Sequence, residues 1–385
     1  MQADIGSILI YLGTLFITAF LAYFYECYDF TTKIGRGIFR CIVLLPFSLL
    51  AGLRSNVGVD YKYYVVIIAE LSRLSLNKAL AASRYEPGFV VIVKLAQFFV
   101  KDRWFCFFMM EFVTMYIAML AFERIKNRVS LTVMMIAYYM FVYHLSLNIM
   151  RQVLAMSFVF LAVTYIMDNK LVKAVAILLI ATRFHDSSAI CFSFVLVPLL
   201  YNFKLFNVKD LKEKKEEHSD EFILFRIGFK RAAYYFTIFA STLMIGRIIN
   251  IAISVGIISS YYAHYFKGSG FGVGNLIYAF FFLGPAIILC KDTIENNYDL
   301  CVARDIVLLY LPISFVGYYA KWATRLKLYP ELVLLMFAPM LCTREKNGSK
   351  SQVMWVYYAL IILYYYVNYF LILNQNDTFP YYSIL

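Results

Sequence analysis

The 385-residue sequence predicts an all-α, polytopic integral membrane protein, and two observations predict it. Hydrophobic residues make up 62% of the chain and charged residues only 16%, where a soluble domain carries about a quarter charged. Apolar runs of roughly 15 to 22 residues recur along it, each near the roughly 20 that cross a bilayer core as a helix. About twelve transmembrane helices are therefore expected, in a single transmembrane domain covering residues 1–385.

The first run, IGSILIYLGTLFITAFLAYFY, has no basic segment before it and no small-residue cleavage site after it, so it reads as a retained helix at 5–25. A second follows at 38–53. Residues 54–103 then form a polar-rich segment outside the membrane. Within it EPGFVVIVKLAQFFV, residues 86–100, is short for a span and holds Lys94 and Gln97; it reads as a re-entrant or interfacial helix. Further spans are expected at 104–122, 131–147, 150–167, 172–184 and 187–201. After the charged loop 202–231 come 232–253, 273–290, 305–320, 327–341 and 353–373.

Lys and Arg near helix ends are retained in the cytoplasm. With the N-terminus outside, the inner loops hold the majority of the 36 basic residues, chiefly through 202–231. That loop contains KDLKEKKEEHSDE, which mixes both signs without interleaved aromatics, so a solvated cytoplasmic helix is expected and no nucleic-acid partner. The net charge of +12 is then mostly topological. The region 54–103 breaks the charge rule, because eight basic residues lie on what should be the periplasmic side: either 86–100 crosses and 54–85 is cytoplasmic, or those charges are kept outside for function. The seven cysteines are scattered with no CxxC, so neither a disulfide framework nor a metal site is indicated. No internal repeat is found, which weighs against a transporter.

Charges beside apolar segments cost about 2.5 to 3.5 kcal/mol at a helix centre and are functional candidates by default. In NIMRQVLAMSF, Asn148, Arg151 and Gln152 form a polar helix start, suited to an anionic, oxygen-rich ligand or to snorkelling toward lipid phosphates. His185, in TRFHDSSAI, has an imidazole able to accept or donate a proton near neutral pH. Lys321, Arg325 and Lys327 stand together in KWATRLKLY; Lys321 and Arg325 are four apart, so one helical face would present both, and the three cations would suit a pyrophosphate, with aromatic-belt anchoring as the alternative. Glu86 in RYEPGF precedes Pro87 and suits a helix start. In GLRSNVGVDYKYY, Arg54, Asp60 and Tyr61 sit between glycines and the next apolar stretch, and Asp60 also reads as a turn residue.

These segments, GLRSNVGVDYKYY, YEPGF, NIMRQVLAMSF, TRFHDSSAI, KWATRLKLY and the terminal PYYSIL, resemble in order the EpsG-like branch of Wzy-type bacterial polysaccharide polymerases, over nearly the whole chain. Val59 departs from the polar residue often found there. The resemblance implies a GT-C-like membrane fold and a glycosyltransferase of the bacterial inner membrane. It would act on the periplasmic side, moving a growing glycan from undecaprenyl pyrophosphate to a lipid-linked repeat unit. No metal, nucleotide sugar or other cofactor is expected. The implied catalytic residues are His185, Asp60 and Glu86, with Arg54, Arg151, Arg325 and Lys321 on pyrophosphate. Gln152, Asn148 and Tyr61 would position substrate, and a chain-length regulator is a further partner. A lipid-linked oligosaccharide flippase, an O-antigen ligase and a membrane O-acyltransferase share this inventory.

Overall fold

The computed structural model describes residues 4–82, 84–201, 220–255, 273–318 and 321–384. Most of the charged segment at 209–221 lies outside the described residues, and of Lys321 only the backbone lies within them. The described chain is helical: α1 Ile5–Cys27, α2 Lys33–Leu53, α3 Tyr61–Ser72, α4 Leu76–Ala82, α5 Pro87–Phe99, α6 Arg103–Ile125, α7 Leu131–Tyr138, α8 Met150–Met167, α9 Leu171–Ala181, α10 Asp220–Ser254, α11 Val273–Leu289, α12 Tyr298–Leu308, α13 Leu328–Arg344 and α14 Gly348–Tyr365, besides shorter turns. No strand forms among the described residues.

Six of the helices are long and apolar enough to cross a membrane, at Ile5–Cys27, Lys33–Leu53, Arg103–Ile125, Met150–Met167, Thr324–Arg344 and Gly348–Ile372. The runs predicted at 131–147, 172–184, 187–201 and 273–290 form shorter apolar helices. The run at 232–253 lies inside the 35-residue α10. The one at 305–320 is broken between Leu308 and Tyr310, just before Pro312.

The chain divides into two compact units, one of residues 1–164, 176–189 and 342–385, the other of 165–175 and 190–341. In the first, α2 and α6 run antiparallel. At one end Gly52 sits against Phe108 and the Trp104 carbonyl; at the other, Arg40 pairs with Glu123 at 2.8 Å. Everything from 54 to 102 therefore lies at one end of this unit, and α5, thirteen residues long, does not reach the other. Lys94 donates to the Leu71 and Leu74 carbonyls, and Gln97 to Ile68 O at 3.2 Å, so α5 is pinned along α3. The seam between them is apolar, with Tyr64, Ile67, Phe89, Val93 and Phe107 buried together. Each such side chain contributes about 1.5 to 3 kcal/mol by leaving water.

The C-terminal tail returns to that same end. Ser55 N donates to Tyr382 O, Gly58 N to Asp377 O, Val59 N to Asn376 O and Ile384 N to Leu53 O, at 2.7 to 3.1 Å. Tyr381 N donates to Ser7 Oγ at 2.7 Å, which brings the start of α1 there as well. The tail is also held by His144, buried against the rings of Tyr11 and Phe370, whose Nδ1 lies 2.9 Å from Thr378 Oγ1.

Candidate functional site

The same end of the first unit gathers three of the residues singled out from the sequence. Pro87 occupies the first turn of α5, so the residue before it is driven to an extended conformation. Glu86 has φ −60° and ψ 139° accordingly, and its carboxylate swings off the helix axis. One oxygen, Oε2, accepts from Arg151 Nη1 at the start of α8. The other, Oε1, lies 2.8 Å from His185 Nδ1, just beyond α9. The helix geometry fixes this bridge from below: Gly88 N donates to Arg183 O at 2.8 Å, and a Cβ on Gly88 would stand 2.7 Å from that carbonyl. Only glycine lets α5 come so close to the 183–184 turn.

Aromatic rings wall the bridge. The Arg151 guanidinium lies 5.4 Å from the Tyr85 ring centroid and 5.7 Å from that of Phe89. Arg151 Nε is buried with no hydrogen-bond partner among the described residues. Tyr85 OH accepts from Arg84 Nε and Nη2 at 3.2 and 3.1 Å and lies 3.5 Å from Tyr63 OH. The imidazole keeps the widest access of the three, with 27% of its side chain exposed against 10% for Glu86. Burial by itself would push the Glu86 carboxyl up, but the His185 hydrogen bond and the Arg151 charge outweigh it and hold it below the usual carboxylate range.

The chemistry follows from that ionised carboxylate. It makes Nδ1 of His185 the donor, which leaves Nε2 with the lone pair that can take a proton from a substrate hydroxyl. Arg151 is held half in the pair and half against rings, a fixed cation beside the base. An imidazole base with an oriented cation at its side suits transfer to a hydroxyl with departure of an anion.

The other sequence candidates are placed around this centre or away from it. Asp60 N donates to Asn148 Oδ1 at 3.0 Å, and Asn148 Nδ2 to Asn376 Oδ1 at 3.1 Å, so this pair links the 54–60 loop to the tail. Gly58, at φ 101°, passes within reach of the Leu147 carbonyl, 2.7 Å from where a Cβ would stand. Gln152 is buried beside Arg151 in sequence. Tyr61 is buried and stacks on Phe107 with centroids 5.1 Å apart. Arg54 is 1% exposed and does not join the Glu86 bridge: Nη2 points to Met150 Sδ at 3.1 Å and the guanidinium faces Phe107 at 4.8 Å. It lines a neighbouring groove of about 520 Å³.

Arg325 and Lys321 belong to the second unit. The expectation that they share one helical face is corrected by the backbone: 321–327 is a 3₁₀ helix, with three residues per turn, where positions four apart no longer stack. Arg325 is exposed. Lys327 donates to Asn275 Oδ1 at 2.7 Å and lies 3.3 Å from Tyr310 OH. Sequence reasoning missed Tyr85, Arg84, Tyr63 and Asn376. The first two flank Glu86 in RYEPGF, so the motif itself carried the signal; Asn376, in a tail read only as outward, carried none.

The model of the EpsG family matches residues 37–383. No curated protein and no solved structure matches the chain.

Proposed function

The chain belongs to the EpsG family, a Wzy-type polysaccharide polymerase-like family of membrane proteins, and from that premise we propose that it is a polysaccharide polymerase using lipid-linked substrates. The growing glycan leaves undecaprenyl pyrophosphate and is joined to a hydroxyl of the next lipid-linked repeat unit, on the periplasmic face of a bacterial inner membrane. The observation that carries this reading is the single carboxylate of Glu86 bridging Arg151 and His185.

In this mechanism His185 Nε2 takes the proton of the acceptor hydroxyl as its oxygen attacks the anomeric carbon. The bond from that carbon to the pyrophosphate oxygen breaks, and the charge developing on the leaving group is met by Arg151, already oriented. Glu86 is a positioning residue: held ionised, it is a poor base, and it sets the tautomer of His185 and the direction of Arg151. Asp60, Asn148, Gln152 and Tyr61 position sugars near the loop. Arg325 and Lys321, in the second unit, are assigned to phosphate binding, and a chain-length regulator is a proposed partner.

Purified protein incubated with lipid-linked repeat units is expected to give a ladder of products on a gel. Arg151→Ala should lower the rate by about 10² to 10³ and His185→Ala by about 10² to 10⁴, both leaving single repeat units on the carrier. Arg325→Ala tests the second unit separately. Transbilayer movement of the lipid without any ladder would overturn the polymerase in favour of a flippase, and full-length polymer from both His185→Ala and Arg151→Ala would overturn the site.

A further inference from the structure

Polymer extension from lipid carriers involves two pyrophosphates, not one. The leaving pyrophosphate must lie at the reacting carbon, beside His185. The acceptor's pyrophosphate stays intact throughout, and its reacting hydroxyl is at the far end of the repeat unit, so its anchor has to lie away from the base.

The groove beside Arg54 has the composition of such an anchor. It opens at the same end of the first unit, between α3, the C-terminal part of α5 and the start of α6, and has about 520 Å³ of space, within the range of small-ligand clefts. Lys101 and Arg103, both exposed, stand at its rim, and Arg54 lies in its wall. Asp102 is the one carboxylate lining it among the described residues, against these three cations. Val65, Ile68 and Ile384 give it an apolar floor. Arg54 is 1% exposed; its guanidinium meets a thioether and two aromatic rings, its Nε has no hydrogen-bond partner among the described residues, and the buried Glu111 carboxylate of α6 faces its charge. A cationic rim over an apolar floor selects an anionic amphiphile, and the groove includes none of the three residues of the Glu86 bridge.

We propose that this groove holds the pyrophosphate and first isoprenyl units of the acceptor lipid, as a second lipid-pyrophosphate site separate from the one at Arg151. The proposal rests on the polymerase reading for the role of its ligand, though not for the binding itself.

The test is binding of farnesyl pyrophosphate to the full chain in neutral detergent, followed by native mass spectrometry and titration. The unaltered protein is expected to take two equivalents. Lys101→Gln/Arg103→Gln, at exposed positions that leave the core intact, should take one, with the other site weakened about ten-fold or more. Ala69→Phe, which fills the groove from an exposed position, should have the same effect. Two equivalents with unchanged affinity in both variants would overturn the proposal. So would equal binding of inorganic pyrophosphate, meaning a free-anion site, or equal competition by phosphatidylglycerol, meaning a general lipid surface. In the ladder assay the double variant should raise KM about ten-fold with kcat nearly kept, whereas Arg151→Ala lowers kcat. Two equivalents that respond to the groove variants, with no ladder from the unaltered protein, would overturn the polymerase alone; a ladder with binding and KM indifferent to the groove variants would overturn the groove alone.

Discussion

Glu86 shows how one residue turns two ordinary polar side chains into a site. A carboxylate taken out of water loses several kcal/mol of hydration unless partners replace it, and here a guanidinium and an imidazole do so, one on each oxygen. The result is a carboxyl held below its usual value. A carboxyl with a depressed folded value contributes stability that is fully present above its unfolded value of about 4.3 and is lost as pH falls through the lower folded value. The unaltered protein should therefore keep this contribution from neutral pH down to about pH 4 and lose it below. Glu86→Gln, which keeps the shape and removes the charge, should lower the thermal midpoint at neutral pH and flatten the loss on acidification. Unfolding curves in detergent from about pH 3 to pH 7 check this, and parallel curves for the two proteins would refute it. Arg151 and His185 were each legible in the sequence as polar residues at the ends of apolar runs. What joins them was not, because Glu86 is 65 positions from one and 99 from the other, and its local setting before Pro87 fully explains an acid there as a helix cap.

Among elements, the short ones set the geometry of the Glu86 bridge. The apolar runs showed where long helices lie because burial in hydrocarbon writes itself into composition over many residues. A thirteen-residue helix at a membrane end has no such signature, and α5 was legible only as an oddity with Lys94 and Gln97 in it. Both turn out to fasten it to α3 by donating to backbone carbonyls. The 3₁₀ geometry at 321–327 was likewise invisible, since the residue pattern fits an α-helix as well. Because Glu86 immediately precedes α5, the distance of that helix from the 183–184 turn sets the reach to His185. Gly88→Ala places a methyl 2.7 Å from the Arg183 carbonyl and from the Phe184 ring. Relieving that overlap should cost about 1 to 3 kcal/mol in stability, and a shift of about 1 Å between base and cation should cost about 10² in rate. Thermal melts and the ladder assay measure the two effects separately. An alanine variant with unchanged rate would mean that α5 does not set the Glu86 to His185 distance.

At the scale of the chain, the return of the tail constrains how many times the protein crosses the membrane. Leu53 and Ile384 are joined at 2.8 Å, so the end of α2 and the end of the chain share a side. Starting from that side, α6 leaves it, the 131–146 helix comes back to Asn148 beside Asp60, α8 leaves again from Arg151, and α9 returns to His185 beside Glu86. The last helix, Gly348–Ile372, must end on the site's side, so it begins on the other. Residues 190–344 therefore have to cross an odd number of times, whatever their helices look like one by one. The five runs expected from the sequence at 187–201, 232–253, 273–290, 305–320 and 327–341 satisfy that parity, and four or six would not. Single cysteines at the exposed positions Lys62 and Tyr382, in a chain otherwise stripped of its seven native cysteines, should react from one side of the membrane. Cysteines at Lys126 and Lys346 should react only from the other. The charge rule assigns the first pair to the periplasm, so an impermeant thiol reagent applied outside intact spheroplasts should label 62 and 382 and spare 126 and 346. Labelling of all four reversed would keep the parity and put the Glu86 bridge in the cytoplasm, removing the periplasmic reading. A split between 62 and 382 would break the pairing of loop and tail on which the site's architecture depends.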